Sequence, residues 1–248
     1  YPQIPAHHFL SIPASSFPNK AASNFYGTEL TYWELRSQAM TMANALGDLG
    51  IRKGDRVGVH LPNCPQYMIA YFAVLSLGAI VVNLNPMYTA DELDRCMADT
   101  GIGTLFTFDL VLDNIRAVCR KGRSLCAIVT RVTDYIDGFP MSTAAEMDLE
   151  EDWRHFSELL KNTPGHSLPR VVIQPQDPAL IQFTGGTTGI PKGAVLTHHN
   201  IVAATLQCSL WGSIFTKLTP TARKNVMAVL PFFHIYGTIV VMNWSIFN

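Results

Sequence analysis

Ten consecutive residues, Thr184-Gly185-Gly186-Thr187-Thr188-Gly189-Ile190-Pro191-Lys192-Gly193, carry the groups that hold a polyphosphate. Three glycines within residues 184–189 let the backbone turn sharply and bring its N–H groups close to an anion. The hydroxyls of Thr184, Thr187 and Thr188 add donors that can reorient as charge moves between phosphates. Lys192 supplies a mobile positive charge, and Pro191 stiffens its approach. A Gly/Thr turn alone would be read as a hairpin loop; the full string with its lysine favours phosphate. It is not a Walker A loop, because Lys192 is followed by Gly193 and Ala194 rather than Ser or Thr. No G-x-G-x-x-G follows the first expected strand, so a dinucleotide fingerprint is absent too.

Other chemistry-bearing residues are weaker signals. His234 stands within Pro231-Phe232-Phe233-His234-Ile235-Tyr236-Gly237, where a lone histidine among aromatics is more often a core residue. His198-His199 invites a metal reading, but adjacent side chains diverge and no carboxylate cluster accompanies them, so a helix entry fits better. His7-His8 is weaker still. Cys64, Cys96, Cys119, Cys126 and Cys208 form no C-x-x-C pair and are odd in number, which indicates neither a zinc site nor a disulfide framework.

The elements that must position these groups alternate. Thr31 with Glu34 makes a capping box for a helix running to about Gly50, and Thr89 with Glu92 makes another for a helix ending near Gly101 or Gly103. Strands are expected at 56–61, 79–84, 104–108 and 125–130, with helices at 65–77 and 111–119 between them. Residues 134–169 turn polar and read as a surface excursion, with a short helix near 153–160. The pattern resumes with strands at 179–184 and 194–197, a helix at 200–211 and a strand at 225–230. The first 27 residues read as an irregular lead-in. Short connections between strand and helix predict an α/β fold with parallel-rich sheets flanked by helices.

At 248 residues, 48% hydrophobic and 15% charged, the chain can bury a sizeable core and is not disordered. A net charge of −1 gives no sign of a nucleic-acid partner, which would need a basic face or stripe, and the basic group Arg116, Arg120, Lys121 and Arg123 reads as a solvated helix end. Residues 67–82 are apolar but short of the roughly 20 residues that cross a bilayer. Their texture changes after Gly78, so a buried helix followed by a buried strand is expected rather than a membrane anchor. Residues 226–247 are interrupted by Pro231, His234 and Gly237, which argues against one lipid-facing helix. The chain begins at Tyr1 without Met, so a removed leader stays open.

The ten-residue string, continued by Ala194-Val195-Leu196-Thr197-His198-His199-Asn200, resembles the phosphate loop of the adenylate-forming (AMP-binding) superfamily of acyl-CoA synthetases, beetle luciferases and peptide-synthetase adenylation domains. The segment around His234 resembles that family's next motif, which lines the acyl pocket. Further similar stretches, among them Arg52-Lys53-Gly54-Asp55-Arg56-Val57 and Gln174-Pro175-Gln176-Asp177-Pro178, extend the likeness over almost the whole chain. Thr-Gly-Gly at 184–186 and Asn85-Pro86-Met87-Tyr88 look most like bacterial long-chain fatty-acid–CoA ligases.

The resemblance implies activation of a fatty carboxylate by ATP to acyl-AMP and pyrophosphate, followed by transfer to CoA, with Mg²⁺ as cofactor. It implies that Thr184, Gly185, Gly186, Thr187, Thr188, Gly189 and Lys192 bind the ATP phosphates. His234, Tyr236 and Gly237 would belong to the substrate pocket; no catalytic residue and no metal ligand is assigned. It implies an incomplete N-terminal domain: lead-in and first helix at 1–50, an α/β lobe at 51–170 and the start of a second lobe at 171–248. The C-terminal domain and its catalytic lysine would lie further along a longer protein, leaving this polypeptide inactive alone. The implied setting is the cytoplasm, with peripheral contact at the inner face of the membrane and homodimerisation left open. An adenylating enzyme for an aryl or medium-chain acid, and a non-catalytic phosphate-binding module, are the competing readings.

Overall fold

Thr31 and Thr89 start helices for the same physical reason. At each, the threonine hydroxyl accepts from the backbone N–H three residues on (Glu34, 3.2 Å; Glu92, 3.4 Å), and that glutamate accepts from the threonine's own N–H (2.8 Å at both). Two of the orphan N–H groups that every helix start leaves open are thereby satisfied. The helix that begins at Thr89 ends on Gly101, whose left-handed φ of 66° suits glycine.

The computed structural model describes residues 1–143, 146–164, 171–184, 191–220 and 224–248, apart from the side chains of Phe215 and Thr216. In chain order the elements are α1 (His8–Ser16), β1 (Ala21–Phe25), β2 (Thr28–Thr31), α2 (Tyr32–Asp48), β3 (Arg56–Val59), α3 (Pro65–Ser76), β4 (Ile80–Asn83), α4 (Ala90–Thr100) and β5 (Thr104–Phe108). They continue as α5 (Leu112–Arg120), β6 (Cys126–Thr130), β7 (Arg154–His155), α6 (Phe156–Asn162), β8 (Pro178–Thr184), β9 (Lys192–Thr197), α7 (His198–Trp211) and α8 (Ser213–Leu218). A π-helical stretch, Gly237–Asn243, runs straight into α9 (Trp244–Phe247).

Seven strands form one sheet in the order β7-β6-β5-β3-β4-β8-β9, parallel throughout except for the β8–β9 hairpin. The parallel α/β expectation therefore holds, and β8 and β9, assigned above to the start of a second lobe, continue the same sheet. Helix α3 is buried on every side, and β4 behind it is buried at all four positions. That is the pattern of a central helix on a parallel strand, and it accounts for the apolar run at 67–82. Among the described residues no helix is long and apolar enough to cross a membrane.

Three expectations change. Residues 1–27 are not irregular: α1 buries Phe9 and Leu10, and β1–β2 form a hairpin with Tyr26 (φ 49°) and Gly27 (φ 97°) at its tip. Pro13 sits inside α1 and no side chain caps it, so its stability comes from tertiary burial, including an edge contact of Phe9 with Phe247 at 5.0 Å. The polar stretch 134–169 is not all excursion, because β7 extends the sheet and Phe156 packs on Phe106. Residues 224–230 form no strand. A strand needs a neighbouring edge to satisfy its backbone, and among the described residues none pairs with this segment.

The basic group of α5 is largely neutralised where it stands. Arg116 pairs with Asp113, Asp148 and Glu150, Lys121 with Asp91, and Arg123 with Asp94. The five cysteines are free thiols, Cys64 and Cys96 buried.

Candidate functional site

Strand β8 ends at Thr184 and β9 begins at Lys192, the two residues paired directly across the hairpin. The Thr184 hydroxyl donates to the Lys192 carbonyl at 3.4 Å, and both residues are exposed. The hairpin thus presents a hydroxyl and an ammonium group at the two ends of the intervening loop. Gly185, Gly186, Thr187, Thr188 and Gly189 lie outside the described residues. Beyond β9, Thr197 caps α7, accepting from the Asn200 N–H at 3.1 Å while Asn200 Oδ1 accepts from the Thr197 N–H at 3.0 Å. His198 is the first residue of α7, and its Nδ1 accepts the Ala6 N–H at 3.1 Å. Burial holds its pKa down at about 4. That is a neutral, structural histidine at a helix entry.

Next to β8, the carboxyl-terminal end of β4 carries Asn83, in register with Gln182. In open parallel sheets the space beyond these strand ends is where ligands bind. Here it is organised by a buried polar network. Asn83 Nδ2 donates to Gln182 Oε1 at 3.1 Å and to the Thr238 hydroxyl at 3.2 Å, while its Oδ1 accepts from the Tyr67 hydroxyl at 2.7 Å. The Tyr67 hydroxyl also lies 2.8 Å from the Phe232 carbonyl, and Gln182 Nε2 donates to the Phe233 carbonyl at 2.9 Å. Burial pushes the Tyr67 phenol far above its usual pKa, so it stays a neutral donor. Asn63 adds a second clamp: its Oδ1 accepts the Phe232 N–H at 2.7 Å and its Nδ2 donates to the Ala228 and Leu230 carbonyls.

Four polar side chains from α3, β4, β8 and the 237–243 helix therefore fasten the His234 segment to the sheet. Each is buried, and an unpartnered buried polar group costs about 1–3 kcal/mol, so the network specifies one position for that segment. None of Asn63, Tyr67, Asn83, Gln182 or Thr238 was picked out from the sequence as a site residue. The available signal was polarity at strand ends and inside apolar runs, as at Asn83 and Gln182.

The structure brings His234 and Tyr236 to the surface on this clamp. His234 is exposed rather than a core histidine; its backbone N–H donates to Pro231 O at 3.1 Å and its Nδ1 accepts from the Tyr236 N–H at 3.3 Å. Tyr236 is 53% exposed. Gly237 is buried where the chain turns: a Cβ there would stand 1.9 Å from the Pro231 carbonyl oxygen, so only glycine fits without moving the turn. An apolar cleft of about 700 Å³ lies between the β1–β2 hairpin, Met68, Phe232 and Met242. None of His234, Tyr236 and Gly237 lines it. His60, directly after β3, is fully buried with Nδ1 3.1 Å from the Thr107 hydroxyl; burial lowers its pKa to about 4.

The donors at the hairpin ends suit phosphate oxygens. Among the described residues no group of three or more His, Cys, Asp or Glu side chains is placed to hold a metal ion.

Comparison with known proteins accounts for this layout. The family model for AMP-binding enzymes matches residues 11–248. The chain is 38% identical to a long-chain-fatty-acid–CoA ligase of Bacillus subtilis (strain 168) over 249 residues, 96% of this chain and 43% of that protein. It is 31% identical to 4-coumarate–CoA ligase 2 of Oryza sativa subsp. japonica over 246 residues, 94% of this chain and 40% of the relative. Among solved structures, a long-chain-fatty-acid-CoA ligase from Archaeoglobus fulgidus superposes with a TM-score of 0.78 at 26% identity, covering 99% of this chain and 45% of that one. An anthranilate CoA ligase in complex with anthranoyl-AMP shares the fold, with a TM-score of 0.81 at 22% identity over 100% of this chain and 45% of that chain. The chain thus spans under half the length of these relatives. With one family model accounting for residues 11–248, sheet and clamped segment included, the chain belongs to the AMP-binding enzyme family.

Proposed function

We propose that this chain is the phosphate-loop portion of a ligase that activates a long-chain fatty acid with ATP, releasing pyrophosphate and passing the acyl group to CoA. The observation that carries the reading is the shared edge: Thr184 and Lys192 sit across one hairpin, and β8 of that hairpin also fastens the His234 segment through Gln182. A phosphate held at the loop and a carboxylate beside His234 would then be positioned by the same strand. In the first step a carboxylate oxygen bonds to the α-phosphorus of ATP as the bond to pyrophosphate breaks. Lys192 and the threonine hydroxyls would meet the charge gathering on the leaving group, the form of stabilisation phosphoryl chemistry demands. Magnesium, when bound, would neutralise phosphate charge; the hairpin ends described here offer it no carboxylate.

The long-chain reading is supported by the 38% identity to the Bacillus ligase, beside coumarate ligases at 31% and 35%. Peripheral membrane contact and a cytoplasmic setting belong to the same proposal, since such acids partition into lipid. The polypeptide of 248 residues is expected to form no acyl-CoA by itself, because it covers 43% of the Bacillus relative.

The test is pyrophosphate exchange by the natural-length protein across fatty, medium-chain and aryl acids. Long-chain acids should support exchange best, and Lys192→Ala should lower it at least about a hundredfold while the protein stays folded. Exchange that is indifferent to Lys192, or supported only by aryl acids, sinks the corresponding part of the proposal.

A further inference from the structure

Three carbonyl oxygens, those of Phe232, Phe233 and His234, meet the buried network, and its protons can be placed one by one. Gln182 Nε2 faces two backbone carbonyls, Phe233 at 2.9 Å and Phe183 at 3.3 Å, so its amide has one orientation and its Oε1 points at Asn83. That fixes Asn83 in turn. Its Nδ2 gives one proton to Gln182 Oε1 and the other to the Thr238 hydroxyl oxygen at 3.2 Å, which leaves its Oδ1 as an acceptor. The Tyr67 hydroxyl has one proton and two acceptors in reach, Asn83 Oδ1 at 2.7 Å and the Phe232 carbonyl at 2.8 Å. Among the described residues only Tyr67 donates to Asn83 Oδ1, whereas the Phe232 carbonyl also has the Thr238 hydroxyl at 2.5 Å. With Tyr67 given to Asn83 and Thr238 to Phe232, each of these acceptors has a donor.

Thr238 thus holds both ends of the segment. Its hydroxyl donates to the Phe232 carbonyl and its backbone N–H to the His234 carbonyl at 2.9 Å, while Gln182 holds the carbonyl between them. It is the second residue of the 237–243 helix and is fully buried, so it grips the segment from the core side. A valine in its place would keep the shape and the N–H. It would remove the proton that meets Phe232 and the oxygen that meets Asn83. The Phe232 carbonyl and Asn83 Oδ1 would then compete for the single Tyr67 proton, and one Asn83 N–H would go unpaired. Unpaired buried groups are costly, so the segment would shift to relieve them.

We infer that Thr238 is a positioning residue for the acid: it sets the place of His234 by holding the carbonyls of Phe232 and His234, without touching substrate itself. The inference rests on the proposed reading that a carboxylate lies beside His234. It is tested with Thr238→Val and Thr238→Ser in the natural-length protein. In pyrophosphate exchange with the acid that the parent uses best, Thr238→Val should raise KM for the acid about tenfold. KM for ATP should stay within about twofold, because the Thr184–Lys192 pairing across the β8–β9 hairpin is untouched. Thr238→Ser keeps the hydroxyl and should return the acid KM to within about twofold of the parent. Amide hydrogen exchange gives a reading that needs no activity. At residues 232–238 it should quicken about tenfold in Thr238→Val, stay as in the parent in Thr238→Ser and Lys192→Ala, and not change in β3 and β4. If Thr238→Val does not fold, Thr238→Cys, with a weak donor of similar size, should show the same pattern at about threefold. An acid KM unmoved by Thr238→Val, equal rises in both KM values, or no recovery with serine overturns the inference. So does unchanged hydrogen exchange at residues 232–238. A parent that exchanges with no acid sinks the proposed reaction instead, and hydrogen exchange alone then decides whether Thr238 fixes the segment.

Discussion

The middle of the sheet and its β8–β9 flank are built on opposite principles. Around α3 and β4 the contacts are apolar and dense: Tyr67, Ile69, Tyr71, Phe72 and Leu75 have no exposed surface, and position follows from packing. At the flank, the segment from Phe232 to Thr238 is held by hydrogen bonds from Asn63, Tyr67, Asn83 and Gln182, while Lys192, His234 and Tyr236 stand open to solvent. Packing makes a rigid base but offers no chemistry. Polar ties fix a segment in place and leave its outer face free for a ligand. Tyr67 and Asn83 belong to both, since their bodies lie in the core and their polar atoms reach the clamp.

Substitutions can break or sharpen that contrast. Phe72→Ala in the packed centre should cost about 3–5 kcal/mol, read as a large drop in the urea midpoint; a small loss would mean that the centre is looser than its burial indicates. Asn83→Ala leaves the Tyr67 hydroxyl, Gln182 and Thr238 each short of a partner. It should cost about 2–4 kcal/mol and raise protease cleavage near residues 228–236. If Asn83→Leu is as stable as the parent, the network contributes position rather than stability.

Acid should act on a third place, the junction of α1 with α7. His198 Nδ1 accepts the Ala6 N–H, so it must be unprotonated, and burial lowers it from 6.5 to about 4. Burial and the neighbouring His8 and His198 lower His7 to about 3. Asp177 favours the charged form of His198 and Lys53 opposes it, while His8 stacks on His7 at 4.6 Å. Both pKa values are depressed on folding, so the unfolded chain takes up protons first. Their stabilisation is whole above pH 6.5 and is lost as pH falls from there towards about 4 for His198 and about 3 for His7. A melting temperature flat from pH 7 down to 4.5 would contradict this, and His198→Gln should flatten the slope.

Smaller effects follow at the edges. Thr31→Ala removes a cap and should cost about 1 kcal/mol. Lys192→Ala should change stability by under about 0.5 kcal/mol, because its side chain is exposed. Paired with the loss of pyrophosphate exchange expected above, that result would put stability and chemistry in separate parts of the fold.

Much of the fold was legible in local patterns. The capping boxes at Thr31 and Thr89, the turn at Gly101 and the switch from helix to strand at Gly78 are interactions between residues close in sequence, and the structure has them where they were expected. Helix α1 was not legible, because Pro13 and the missing cap hide an element that exists through contacts with α2 and α9. The strand expected at 225–230 failed for the converse reason: its composition suits a strand, but a strand also needs an edge to pair with. At the site, glycine, threonine and lysine in one string are what led to the phosphate proposal. The clamp is spread over α3, β4, β8 and residues 228–238, and no string announces it.

The sequence by itself determined which groups could meet a phosphate, where helices start and stop, and that the apolar run after Pro65 is buried. Those follow from backbone geometry and side-chain chemistry within a few residues. Only the tertiary structure decided that Asn83 and Gln182, 99 residues apart, become neighbours, and that the strand ending at Thr184 also fastens the His234 segment. The order of strands in a sheet is chosen by the burial of whole elements against each other, which no short stretch of sequence records.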